Sequence, residues 1–277
     1  RRSSDLLYDA MGPAIEISGG SAGNTAAGVA SFGGRCAYFG KVANDHLGGV
    51  FSHDIRAIGV TYETSKLENA EPTARSMILV TPDGERTMNT YLGACTALSP
   101  ADIDAEIVKG AAITYMEGYL WDPPLAKEAF RQAAAIAHAA GRQVAITLSD
   151  SFCVDRYRGE FLDLMRSGTV DIVFANESEL HALYQTADFA TALAALRNDV
   201  KLATVTRSEK GSLAVRGAET VEVPAVAIEQ LVDTTGAGDL YASGFLYGLA
   251  RGEELSICCE LGCLAAAEVI SHLGARP

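Results

Sequence analysis

The chain has no run of about 18 apolar residues, so the sequence offers no membrane-spanning helix. No signal-peptide pattern opens it. Positive charge is scarce: 22 Lys and Arg stand against 35 Asp and Glu, a formal charge of −13. That balance argues against nucleic acid or an anionic membrane surface as a partner. It does not exclude a phosphorylated small ligand, which needs only local positive potential. The six cysteines, at 36, 95, 153, 258, 259 and 263, include no C-x-x-C pair. Cys259 and Cys263 share a helix face, but no His or second pair completes a metal set, and all six read as reduced thiols of a cytoplasmic protein. The histidines at 46, 53, 138, 181 and 272 share no spacing that suggests a metal or a triad. Two familiar phosphate motifs are also missing. No G-x-x-x-x-G-K-[ST] occurs, and G-A-G-D-L-Y at 236–241 lacks the third glycine of a dinucleotide fingerprint.

What is present is 277 residues, 48% hydrophobic, enough for one large α/β core or one core with a small appendage. Residues 1–13 read as polar and turn-like. Short strands are predicted at 14–18, 36–42, 62–67 and 73–80, the last forming a hairpin with 86–91 across Pro82-Asp83-Gly84-Glu85. A small-residue helix runs to about Ser31, and a second covers 46–58. From 113 onward strands alternate with helices: strands at 113–116, 144–148, 170–174 and 202–206, helices at 124–140, 157–166, 177–184 and 189–198. A hairpin (212–215 with 220–223) and two helices (238–250, 254–271) close the chain. This order implies a mostly parallel sheet covered on both faces, with ligands beyond the carboxyl ends of the strands. The β-rich segments at about 14–20 and 60–91 break that rhythm and read as a small sheet set against the main domain, a lid.

One stretch organises the rest. Asp233 to Asp239 read D-T-T-G-A-G-D, and Leu240, Ala242, Phe245, Leu246 and Leu249 follow at helical spacing. A glycine turn opening a helix offers unpaired N–H groups and the positive end of the helix dipole, a natural seat for a phosphate. Asp239 is ordinary as an acidic first-turn residue. Beside a bound phosphate it is costly, since two charges about 4 Å apart repel by roughly 4 kcal/mol at an effective dielectric near 20. A carboxylate there makes sense as the general base that removes a proton from an attacking hydroxyl.

Other candidates sit just after predicted strands. Asn176 and Glu179 form either a plain capping box or part of a Mg²⁺–phosphate cluster. Thr206, Ser208 and Gly211 lie on a turn that either contacts a nucleotide or merely enters a hairpin. Tyr119 and Leu120 belong either to the core or to a surface that stacks on a planar base. Gly19, Gly20 and Asn24 mark a strand-to-helix junction, where Asn24 either caps the helix or binds a sugar diol. Arg86, on the hairpin, is either solvated or directed at a phosphate.

Together these residues resemble the ribokinase-like (PfkB) kinase family. D-T-T-G-A-G-D at 233–239 is similar to its C-terminal signature, G-G-S-A-G-N at 19–24 to its N-terminal one, and N-E-S-E at 176–179 to its N-x-x-E motif. The order and spacing agree over nearly the whole chain. The resemblance implies a Rossmann-like α/β fold, a mostly parallel central sheet with helices on both faces, a β-sheet lid, and ATP-dependent phosphorylation of a sugar-type hydroxyl. By position it makes Asp239 the catalytic base and Gly236, Ala237 and Gly238 the anion hole. Asn176 and Glu179 would serve Mg²⁺ and phosphate, and Thr206, Ser208 and Gly211 the nucleotide; Ser208 replaces a Gly found in many members. Gly19 and Gly20 would act as lid hinge, with Gly20 and Asn24 on the substrate ribose. The family's activating monovalent cation, K⁺, would fall near Asp233 and Thr235, and its presence here is open.

Within the family the chain is most similar to adenosine kinases. E-G-Y-L at 117–120 and L-S-D-S-F at 148–152 are similar to their base-pocket segments, which places Tyr119 or Leu120 near adenine. Arg86 sits where those enzymes direct a lid arginine at the phosphates. The implied reaction is adenosine plus ATP giving AMP and ADP (EC 2.7.1.20). A sugar kinase acting on ribose, fructose or a related sugar is the alternative, and a non-catalytic nucleoside-binding module is the alternative of another class. The family's first strand, with a ribose-binding Asp, would precede residue 1. A lid sheet serves either a monomer or a lid-mediated homodimer.

Overall fold

The computed structural model describes residues 2–277, with side chains from Leu6 onward. Its centre is a six-stranded sheet in the order β3 (Ile113–Glu117), β4 (Gln143–Thr147), β5 (Ile172–Asn176), β6 (Leu202–Thr206), β7 (Ser212–Arg216) and β8 (Glu219–Val223). The first four strands are parallel and the last two pair antiparallel. The two faces explain the near-continuous apolar runs of β4 to β6. On one face α5 (Pro124–Ala139), α6 (Ser151–Arg166), α7 (Glu177–Tyr184) and α8 (Phe189–Asp199) pack over Ile146, Val173, Ala203 and Val205. On the other, α9 (Ala237–Ala250) and α10 (Leu255–Val269) cover Ala145, Ile172, Phe174 and Leu202. Phe174 meets Phe245 edge-on there, ring centroids 5.4 Å apart. The Rossmann-like α/β reading therefore holds.

Two further layers reach the carboxyl edge of the sheet. α2 (Ser21–Ser31) lies against α9. The approach is close because residue 28 is glycine: a Cβ there would fall 2.3 Å from Ser243 Oγ. A separate two-stranded antiparallel sheet, β1 (Arg75–Val80) with β2 (Arg86–Tyr91), projects from the body with β2 wholly exposed.

Several predicted elements take other forms. Residues 14–18 form no strand, and 36–42 and 62–67 meet only through single bridges, Ala37 to Thr61 and Ala43 to Leu67. Apolar residues there pack around Ile55, Val60 and Tyr62 instead of building a ladder. The early segment read as turn-like holds a helix, α1 (Arg2–Ala10). α6 starts six residues before its predicted start, because Asp150 caps it by accepting from Cys153 N at 2.6 Å; non-helical Tyr157 (φ −120°) interrupts the periodicity that marked the later start. Short α4 (Ala105–Gly110) was not foreseen, and α3 (His46–Ala57) was.

Candidate active site

Each parallel strand of the sheet ends in a polar residue or leads straight to one. Glu117 ends β3, Ser149 follows β4, Asn176 ends β5 and Thr206 ends β6. The register sets Glu117 beside Thr147 and Asn176 beside Thr206. A cleft opens over this row, and it is also lined by Gly19, Gly20, Asn24, Arg86, Tyr119, Leu120, Asp233, Gly236, Gly238 and Asp239. The structure therefore brings together most of the residues singled out from sequence. Ser208 and Gly211 do not line the cleft: Ser208 sits in a tight turn beyond Thr206, and Gly211 is buried against Val223 and Pro224.

The turn before α9 is built for a close ligand. Gly236 caps the helix with φ +85°, a conformation only glycine adopts without strain, and any Cβ there would press on Ala275 at 2.8 Å. The N–H groups of Gly236 and Gly238 find no backbone acceptor among the described residues, whereas Ala237 N–H donates to Thr234 O at 3.3 Å. Gly238 has open space where a Cβ would stand. The charge-binding end of α9 thus faces the cleft with unspent donors.

Asp239 sits in the first turn of α9 but does not cap it. Its Oδ1 lies 2.6 Å from Ser21 Oγ and its Oδ2 accepts from Asn24 Nδ2 at 2.9 Å. Thr25 Oγ1 donates to Asp239 O at 3.2 Å, locking α2 to α9 at this point. Asn24 is not a helix cap either, since α2 begins at Ser21 after Gly20 (φ +95°). Its amide is oriented by Arg276, whose Nε donates to Asn24 Oδ1 at 3.2 Å while Nη2 holds Gly19 O at 3.1 Å. That leaves the Asn24 NH₂ pointing at Asp239.

Glu117 is the largest omission of the sequence reading, in which it figured only as the first letter of E-G-Y-L. It is buried, with Oε1 bonded to Ser149 Oγ at 2.5 Å and Oε2 2.6 Å from Ser21 Oγ. Burial, then the neighbouring Asp239 charge, raises the Glu117 carboxyl well above its ordinary value. Enclosure by the surrounding protein also raises Asp239, partly offset by its bonds to Ser21 and Asn24 and by the charge of Arg86. Ser21 and Ser149 were equally missed. The available signal was position: a carboxylate at the end of a parallel strand stands where such sheets bind ligands.

Asn176 does form the capping box. It accepts from Glu179 N at 2.8 Å, and Glu179 accepts from Asn176 N at 3.0 Å and from Asn176 Nδ2 at 2.6 Å. Burial pushes the Glu179 carboxyl up to about 7. The capping box does not withdraw Asn176 from the cleft, to which it remains exposed. Tyr119 is 45% exposed, so it is not core, while Leu120 packs partly against the core. Arg86 donates to Thr234 Oγ1 at 2.6 Å, and Gly84 O accepts from Thr234 N at 3.2 Å, so the β1–β2 turn rests on the 233–239 loop. Asp233 is held by Thr235 N at 2.9 Å and Gly274 N at 3.1 Å, and Thr235 Oγ1 is buried with no hydrogen-bond partner. All six cysteines are free, and no cluster of three or more His, Cys, Asp or Glu suited to a metal occurs among the described residues.

A carboxylate in the same helical turn as unpaired backbone N–H groups, above a row of strand-end polar groups, is an arrangement suited to phosphoryl transfer to a hydroxyl. The profile described as pfkB family carbohydrate kinase matches residues 16–277. The chain belongs to the pfkB family. The crystal structure of adenosine kinase from Sinorhizobium meliloti is 64% identical and superposes with a TM-score of 0.98, covering 100% of this chain and 84% of that one. A probable sugar kinase from Rhizobium etli CFN 42 matches at 62% identity with the same TM-score of 0.98 and coverage of 100% and 84%. The adenosine kinase of Saccharomyces cerevisiae is 27% identical over 274 residues, 93% of this chain and 79% of the yeast protein. This pfkB-family kinase has no helix among its described residues long and apolar enough to cross a membrane.

Proposed function

We propose that this pfkB kinase transfers the γ-phosphoryl group of ATP to the 5′-hydroxyl of adenosine. The observation that carries the reading is the shared turn: Asp239 and the unspent N–H groups of Gly236 and Gly238 face one cleft. Asp239 takes the hydroxyl proton as the oxygen attacks phosphorus, the bond to the ADP oxygen breaks, and the amides at the head of α9 stabilise charge on the transferring group. The raised proton affinity of Asp239 suits a base that works near neutral pH. Arg86, resting on Thr234 at the mouth of that loop, is placed to add positive charge to the phosphates, with the β1–β2 sheet acting as lid.

Mg²⁺ supplies charge neutralisation between phosphate oxygens when bound. Glu179 with Asn176 is the carboxylate–amide pair at the cleft that would hold its water shell. K⁺ would use the buried, unpartnered Thr235 Oγ1 beside Asp233. The nucleobase would lie on half-exposed Tyr119, and Asn24 would meet the ribose beside Asp239.

A sugar acceptor is the second reading, favoured by the 62% identity to a probable sugar kinase. ADP release with ATP-Mg²⁺ and a panel of adenosine, other nucleosides, ribose and fructose separates the two. Release with adenosine alone is expected. Release only with a free sugar replaces the acceptor, and release with none of them overturns both acceptor readings.

A further inference from the structure

Ser21 Oγ lies 2.6 Å from Glu117 Oε2 and 2.6 Å from Asp239 Oδ1. A hydroxyl has one proton, and it donates along one line. The second short contact therefore needs a proton of its own, carried by one of the two carboxyls. The remaining partners say which. Tyr119 N–H donates to Ser149 Oγ at 3.0 Å, so the Ser149 proton is free for Glu117 Oε1. Asp239 Oδ2 accepts from Asn24, and the positive end of the α9 dipole favours the ionised form of Asp239. The hydrogen bonds then run in one direction, from Tyr119 N–H through Ser149 to Glu117 Oε1, and from Glu117 Oε2 through Ser21 to Asp239.

We propose that Glu117 carries a proton on Oε2 and, through Ser21, acts as a positioning residue that keeps Asp239 ionised and aimed into the cleft. The proposal rests on the reading of Asp239 as general base. No proton is lost from Glu117 during turnover; Asp239 remains the group that takes the hydroxyl proton. The charged and titratable groups around Glu117 agree with a neutral acid there. Asp239 of α9 and Glu179 of α7 both disfavour its ionisation, and Cys153 of α6, Tyr38, Tyr115 and Tyr119 are its other titratable neighbours. The nearby cations act on other groups: Arg86 on Asp239, and Arg276 on Tyr38 and on Asn24, the partner of Asp239. Once alkaline pH strips the Glu117 proton, Ser21 must serve two anions, and Asp239 loses its donor or gains a repelling neighbour.

The test reads the proton and its consequence separately, on the whole chain. Infrared difference spectra of wild type and Glu117→Gln at neutral pH should show a protonated-carboxyl C=O band in the wild type that the variant lacks. The amide of Gln donates to Ser21 and accepts from Ser149 without titrating, so the alkaline limb of the kcat/KM profile should disappear in E117Q. A difference spectrum with carboxylate bands but no protonated-carboxyl band, or an alkaline limb at the wild-type pH in E117Q, overturns the proposal. Ser21→Ala tests the same chain should E117Q not fold. It removes the donor to Asp239 and should move the acid limb upward by on the order of one pH unit; an acid limb at the wild-type pH overturns the relay. The infrared band needs no substrate, so a protein that shows it but phosphorylates no acceptor refutes the kinase reading and leaves the proton on Glu117 standing.

Discussion

The two ends of the central sheet treat enclosed carboxyl groups in opposite ways. At the amino end, Asp171 precedes β5 and is fully partnered: Oδ2 bonds His138 Nε2 at 2.8 Å and Val144 N at 2.9 Å, and Oδ1 bonds Lys201 Nζ at 2.7 Å. Burial alone would raise its carboxyl, but the bonds from Lys201, His138 and Val144 outweigh that and hold it below the usual carboxylate range. At the carboxyl end, Glu117, Asp239 and Glu179 have hydrogen bonds too, yet burial wins and all three are raised. The same sheet holds a carboxylate in its most stable ionic form at one end and stores strained proton affinity at the other. Only the second arrangement suits acid–base chemistry, and it is the one under the cleft. The first ties β4, β5 and the start of β6 together.

The largest effect expected from disturbing this contrast is on turnover. Asp239→Asn should lower kcat by at least about 10²–10⁴-fold, the usual contribution of a general base, in an ADP-release assay. At the other end, Asp171→Asn should leave kcat per folded molecule unchanged. It should cost about 1–3 kcal/mol of stability in urea unfolding, because His138, Lys201 and a buried Val144 N–H lose their charged acceptor. The pH dependence should also invert between the ends. Asp171 is depressed in the folded chain, so its contribution is present above the ordinary carboxylate range and is lost as pH falls through its folded value. Glu179 is raised, so the folded state binds its proton more tightly. Wild type should therefore lose stability relative to Glu179→Gln as pH rises from 4.5 to about 7. The smallest effect is expected from Lys201→Ala, below about 1 kcal/mol, since that side chain is 74% exposed and its pairing is solvent-screened.

Much of the framework is legible before any coordinates, for a physical reason. Strands covered on both faces, such as 172–176 (I-V-F-A-N) and 202–206 (L-A-T-V-T), are apolar or threonine until a polar residue closes them, and glycines such as Gly141 and Gly168 punctuate the ends of α5 and α6. The turn at 233–239 announces itself because its chemistry is local: glycines, then an acid, then a helix. Glu117 and Ser21 are 96 residues apart and meet only because β3 ends beneath the head of α2, which no periodicity records. Arg276, 252 residues from Asn24, is hidden for the same reason. The strands expected at 14–18, 36–42 and 62–67 fail because alternation describes a pleated face and not a partner, and these segments find packing without a ladder. The α6 start was misplaced by reading Tyr157 as its beginning when it is a break inside the helix.

Parallel urea titrations of Asp239→Asn and Asp171→Asn at pH 7, each beside wild type, test the contrast most directly. If the carboxyl end stores proton affinity for chemistry, removing its charge at Asp239 should raise the unfolding free energy by about 0.5–2 kcal/mol even as turnover collapses, while the Asp171 change lowers it. A loss of stability in both variants would contradict that account, and would make Asp239 a structural anchor of the same kind as Asp171.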